Sequence, residues 1–184
     1  PHRPRVLGSE GLATAMIELP ALRERLVDAI AHRLKLDPAF LADLSRRMVL
    51  CYTSASRFSG TTIDRVMRAY ERGDDQVTAA LHGLRDVAEM MVGALVACDS
   101  GLVGRLLSAN WRHQQALDPR MRTPEMGQLE NAVIGAGALG GKAAGSGAGG
   151  CMFFLGPDDP AAVVLGSLLL VGVLVELDDA RVDV

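Results

Sequence analysis

The sequence predicts an α+β fold, a layer of helices on one face of an antiparallel sheet. Two compact β-rich runs, MVLCY at 48–52 and CMFFL at 151–155, are separated by a long tract with apolar residues at helical spacing. A final apolar tract, 161–177, changes from helical to β-branched character around Gly172. The order is therefore strand, helical cluster, strand, helix, strand, which suits helices packed against an antiparallel sheet.

The elements follow in order. Residues 1–13 look irregular, and Ala15–Leu19 reads as a short strand. Pro20 fits a helix start, with Leu22, Leu26, Ile30 and Leu34 recurring on one face. Asp37-Pro38 is a cap-and-first-turn signal for a short helix carrying Phe40, Leu41 and Leu44. The strand 48–52 ends in a polar turn, Thr53 to Arg57, followed by Ser59-Gly60. Ile63, Val66, Met67 and Tyr70 form the apolar stripe of the next helix, which Gly73 stops. Val77, Leu81, Leu84, Ala88, Met91 and Leu95 mark a longer helix. Leu102, Leu106, Ala109 and His113 share the face of another, with Val103, Leu107 and Trp111 beside them. Thr123 caps a helix that has Pro124 at its first position and Met126, Leu129 and Val133 inward. A glycine-rich run, 135–150, leads into the strand 151–155. Asp159-Pro160 opens a helix from Ala161 to Val171, Val173–Leu177 reads as a strand, and Arg181–Val184 as a terminal one.

Composition narrows the class. A chain of 184 residues, 49% hydrophobic, suffices for one domain or half of a two-domain enzyme. A net charge of −3, with arginines spread along the chain, does not point to nucleic acid. Cys51, Cys98 and Cys151 are widely spaced and lack paired spacing, which argues against a disulfide framework or a zinc site. Their apolar surroundings predict buried thiols and a reducing, cytoplasmic setting. His2, His32, His82 and His113 show no ligand spacing, so no metal site is expected. No signal peptide stands behind the opening PHRPR. The tract 161–177 is at the short limit for a membrane span and holds two glycines, so a buried helix and strand is the better reading.

The chemistry concentrates in the glycine run. Glycine permits φ > 0 and close backbone approach, and Lys142 places one cation among the amides. Such a cradle suits a phosphorylated ligand. Gly135, Gly137 and Gly140 spell G-x-G-x-x-G, but a helix precedes them and a strand follows, the reverse of a dinucleotide fingerprint. A nucleoside-triphosphatase phosphate loop fails as well, since Ala143 stands where a magnesium-binding hydroxyl is required. The simpler alternative is a helix–turn–strand connection with small residues for close packing. Near the first strand, Arg57 could grip a phosphate or carboxylate with two parallel hydrogen bonds, or the cluster could be a hydrogen-bonded turn. In Asn110–Gln114, Trp111 could stack on a sugar while the amides hold hydroxyls, or it could be core. Asp158-Asp159 and Asp178-Asp179 read as solvated turns and caps. No nucleophile–base pair or carboxylate couple can be assigned by spacing.

Four segments together, LCYTSASRFSG (50–60), LLSANWRHQQAL (106–117), RTPEM (122–126) and GALGGKAAGSGAGGCMFFL (137–155), resemble the C-terminal half of GHMP-superfamily small-molecule kinases. The heptose- and fucose-type sugar kinases are the branch most resembled, with galactokinases as cousins. The resemblance covers about residues 45–156. It implies a ferredoxin-like C-terminal domain over 45–184, with 1–44 as connecting region and leading helices. It also implies an N-terminal ATP-binding domain, absent from this chain, that brings the nucleotide phosphate loop, the Mg2+ ligands and a base. Carried over by position, the cofactor loop is Gly140, Gly141, Lys142, Gly145, Gly147, Gly149 and Gly150, and the substrate-facing residues are Thr53, Arg57 and Trp111. Ser54 stands where the family often has glycine, and Ser146 and Ala148 interrupt the usual glycine pattern.

The intact protein is then expected to move the γ-phosphoryl of ATP to a hydroxyl of a sugar or sugar phosphate, and the chain alone to be inactive. Expected partners are ATP, the acceptor and the N-terminal domain, but neither nucleic acid nor membrane. The alternative is a non-catalytic sugar-binding module, or one that forms a homodimer through its apolar last helix.

Overall fold

The computed structural model describes residues 33–53, 60–161, 163 and 174–175. The chain divides into two units, Pro1–Leu36 and Asp37–Val184. Only 33–36 of the first are described, Arg33 and Leu34 in a helix and Lys35 in the turn after it.

The second unit starts with α1, Pro38–Arg47, where the Asp37 carboxylate accepts the Ala39 N–H at 2.8 Å. Strand β1, Met48–Tyr52, follows directly. Next come α2 (Gly60–Glu71), α3 (Asp75–Val96) and α4 (Ser100–Leu117). Asp74 and Asp99 cap α3 and α4, accepting N–H groups of Val77 (3.0 Å) and Leu102 (2.8 Å). A 3-10 turn, Pro119–Met121, leads to α5, Pro124–Gly135, whose cap is Thr123, as the sequence predicts. Each such cap stabilises its helix by about 1 kcal/mol. Strands β2 (Gly140–Ala143), β3 (Cys151–Leu155) and β4 (Leu174–Val175) complete the described elements.

The sheet is antiparallel in the order β2-β3-β1-β4. Val49 pairs with Phe154 and Cys51 with Met152, and all four are buried on the same face, the period-two pattern of a half-buried sheet. Against that face pack Trp111 of α4 and Met126, Leu129 and Val133 of α5. A second cluster, with Phe40, Val87, Ala94, Val103, Leu106 and Leu155, ties α1 and α3 to α4. The α+β reading of the sequence therefore holds, with helices and a small antiparallel sheet sharing one core.

Three expectations change. Gly140–Ala143 is a strand rather than part of a loop. The stripe Ile63, Met67 and Tyr70 of α2 is half-exposed rather than covered, and only Val66 of that set packs on the core. Cys51 is buried and Cys151 half-buried, but Cys98 is exposed in the turn after α3. The strand expected at 15–19, the helix from Pro20 to 32, residues 54–59, most of the last helix and the terminal strand lie outside the described residues. Among the described residues no helix is long and apolar enough to cross a membrane.

Candidate functional site

The glycine run is two structures. Its first part is dictated by packing. A Cβ on Gly140 would lie 1.8 Å from the Gly104 carbonyl oxygen, so α4 and β2 meet backbone to backbone. Gly141 is equally confined, by the Phe154 ring, and its N–H donates to Ser108 Oγ at 3.2 Å. These two glycines press β2 onto α4 and offer no cradle.

The second part is the connection from β2 to β3. Ala144 N–H donates to Cys151 O at 2.9 Å and closes a hairpin. Within it Gly145, Gly147, Gly149, Gly150 and also Ala148 have positive φ. Turns that include left-handed residues are where backbone N–H groups form anion-binding concavities.

The body of the domain holds this loop at several points. Gln114 Nε2 donates to Gly145 O at 2.5 Å, and Ala148 N–H donates to Met121 O at 2.6 Å. Gly149 N–H donates to Met126 Sδ at 3.4 Å. Thr53 donates to Gly150 O through both its N–H (2.8 Å) and its hydroxyl (2.7 Å). Among the described residues, the N–H groups of Gly145, Ser146, Gly147 and Gly150 have no acceptor. The loop is thus held by its neighbours while several of its backbone donors, Ser146 and Gly147 at the tip among them, are unpartnered among the described residues.

Beside the tip lies a cleft of about 440 Å³. Val66 and Met67 of α2, Asn110 and Gln114 of α4, and Lys142 and Ser146 help to form it. The Lys142 side chain is half-buried, and that burial pushes its ammonium below the usual lysine range. Among the described residues Lys142 has no acidic partner, and a half-buried cation lining a partly apolar cleft gains from an anionic ligand. Among the described residues no group of three or more His, Cys, Asp or Glu could hold a metal ion.

The sequence-predicted residues therefore separate. Lys142, Gly145, Gly147, Gly149 and Gly150 come together at the loop. Gly140 and Gly141 lie beneath it as packing residues. Thr53 is buried, and its polar groups clamp Gly150 rather than face the cleft. Trp111 is fully buried among sheet and helix side chains. It presents no face for sugar stacking, and the edge of its indole would sit 3.1 Å from a Cβ on Gly147. It forms the floor of the loop. Arg57 lies outside the described residues. Sequence reasoning missed Ser108 as a support of β2 and Met121 and Met126 as supports of the loop; the last two act through backbone and sulfur acceptors that no motif displays. Gln114 stood in a cluster read for hydroxyl binding but serves the loop backbone.

This chain is similar to several known proteins. Residues 91–168 match the family model "GHMP kinases C terminal". The D-glycero-alpha-D-manno-heptose 7-phosphate kinase of Campylobacter jejuni is 29% identical over 125 residues, 68% of this chain and 36% of that protein. The mevalonate kinase of Thermococcus onnurineus is 30% identical over 121 residues, 63% of this chain and 36% of that protein. The chain thus spans little more than a third of these relatives. The crystal structure of L. major mevalonate kinase in complex with R-mevalonate has the same fold, with a TM-score of 0.62 at 21% identity over 67% of this chain and 38% of that one.

Proposed function

Residues 91–168 of this chain belong to the GHMP kinase C-terminal family, and from that premise we propose that the intact protein is an ATP-dependent kinase of a small hydroxyl-bearing substrate, a sugar or sugar phosphate. The observation that carries the reading is the 144–150 loop, with unpartnered amides at Ser146 and Gly147 and Lys142 beside them. These groups fit a nucleotide's phosphates: the amides donate to oxygens where negative charge gathers, and Lys142 offsets that charge. Mg-ATP, when bound, supplies the phosphoryl group. This chain's residues bind and orient it, and the preorganised loop lowers the cost of holding the reacting groups in place. The magnesium ligands and the proton acceptor belong, on this reading, to a nucleotide-binding N-terminal domain that works with this one.

The sugar-phosphate acceptor rests on the similarity to the heptose 7-phosphate kinase. A mevalonate-type acceptor is the second reading, favoured by the Thermococcus relative. Release of ADP by the intact protein with Mg-ATP, measured across sugars, sugar 7-phosphates, sugar 1-phosphates and mevalonate, separates them. Turnover with a sugar or a sugar phosphate but not with mevalonate supports the proposal. Turnover with mevalonate alone moves the assignment to the second reading, and none with any acceptor overturns both in favour of a non-catalytic module.

A further inference from the structure

A second cleft, of about 530 Å³, lies between the C-terminal half of α2, the start of α3 and the end of α4. Four arginines line it, Arg65, Arg68, Arg72 and Arg120, against two carboxylates, Asp74 and Asp118. Both carboxylates are engaged. Asp74 caps α3. Asp118, 4% exposed, accepts from Arg65 Nε at 2.8 Å and from Arg120 Nε and Nη2 at 2.9 and 3.1 Å. Arg65 Nη2 also donates to Thr62 Oγ1 at 3.0 Å. Asp118 thereby holds two guanidinium groups in fixed orientation at the cleft, with Nη1 of each left over. Arg68 and Arg72 stand four residues apart, and among the described residues their side chains have no acidic partner. Like charges at that spacing repel by a few tenths of a kcal/mol unless an anion lies between them.

We propose that this arginine cleft is a second anion site, which takes a small molecule carrying a pyrophosphoryl group or two neighbouring phosphoryl groups. Its volume is in the range of small-molecule pockets. Guanidinium groups bind phosphoryl oxygens in bidentate pairs. Two of the four are already oriented by a buried carboxylate, so little ordering is left for the ligand to impose. The site is separate from Lys142 and the glycine loop, and it does not depend on the kinase reading.

The test is calorimetric titration of the intact protein with inorganic pyrophosphate at 50 and 300 mM salt, wild type beside three variants. Arg68→Gln/Arg72→Gln removes the unpaired guanidinium groups and keeps helix propensity. Lys142→Met removes the loop cation. Arg85→Gln/Arg33→Gln removes the same charge elsewhere. Two saturable components are expected, one at the loop that is lost in Lys142→Met, and one at the arginine cleft that weakens at least tenfold in Arg68→Gln/Arg72→Gln and stays within about twofold of wild type in Lys142→Met and in Arg85→Gln/Arg33→Gln. Four results would each overturn the site. They are no binding to wild type, loss of all binding in Lys142→Met, equal loss in both arginine pairs, or loss in Arg68→Gln/Arg72→Gln together with a fall of more than a few degrees in Tm.

Discussion

Gly147 shows how narrowly single residues define the loop. Its φ is +78°, and a Cβ there would meet the Met121 carbonyl oxygen at 2.5 Å. Gly147→Ala is expected to cost about 2–3 kcal/mol, part left-handed strain and part overpacking. Gly73 has a similar φ of +73° but open space around it, so Gly73→Ala should cost only about 1 kcal/mol. Urea unfolding of the two variants separates strain from collision. Gly140→Ala, facing a backbone oxygen at 1.8 Å, should exceed about 3 kcal/mol or prevent folding. Lys142 makes a different prediction. Burial disfavours its charge, so the ammonium gives up its proton below the usual 10.5. Anion binding at the loop should weaken as pH rises, starting below 10.5. In the fold itself the sign is opposite. The penalty for burying the charge is relieved as pH rises through the folded pKa, so wild type should gain stability relative to Lys142→Met between neutral pH and 10.5. Melting temperatures of both proteins across that range check it.

At the scale of elements, the junction of α4 with the 3-10 turn carries a pH signature. Burial pushes the Asp118 carboxyl up, but the hydrogen bonds from Arg120 and Arg65 together outweigh it and hold the group at about 2. A carboxyl held below its unfolded value of 3.8 stabilises the fold above that pH, and the stabilisation is lost as pH falls from 3.8 to about 2. The shift corresponds to about 2 kcal/mol, and Asp118→Asn should lose that much at neutral pH and unfold with a flatter acid limb. Urea midpoints of both proteins at pH 7 and pH 3 measure it.

Much at this scale was legible in the sequence. Asp37-Pro38 and Thr123-Pro124 announced helix starts because a capping oxygen followed by proline satisfies the geometry of a first turn. MVLCY and CMFFL announced strands by β-branched and aromatic content. Strand β2 was hidden, because glycine has little strand preference. Gly140 and Gly141 are there for the contact with α4, which is a tertiary fact. The stripe of α2 was legible as apolar, but periodicity does not say what covers it, and Ile63, Met67 and Tyr70 are half-exposed. Trp111 has the same ambiguity, since an indole at helical spacing suits a core or a ligand, and only its neighbours decide.

For the whole molecule, the helices and sheet build a rigid frame, and the frame supports one connection with unusual backbone. Side chains from α4, α5 and the residue after β1, and a backbone carbonyl of the 3-10 turn, all reach that connection. The glycine run therefore marked in sequence the connection whose backbone is left-handed at five residues. The frame that gives it one conformation was not legible, because it consists of single hydrogen bonds between distant residues. The division within the run, packing in 140–141 and a left-handed connection in 144–150 to which the proposed function assigns phosphate binding, follows from that frame. The most direct test of the account is ATP turnover by the intact protein and its Lys142→Met variant, with Mg2+ and a panel of sugar phosphates. The account predicts acceptor-dependent ADP release that falls about tenfold or more in Lys142→Met, with no loss of thermal stability. Undiminished turnover in that variant, or no turnover in the wild type with any acceptor, would contradict it.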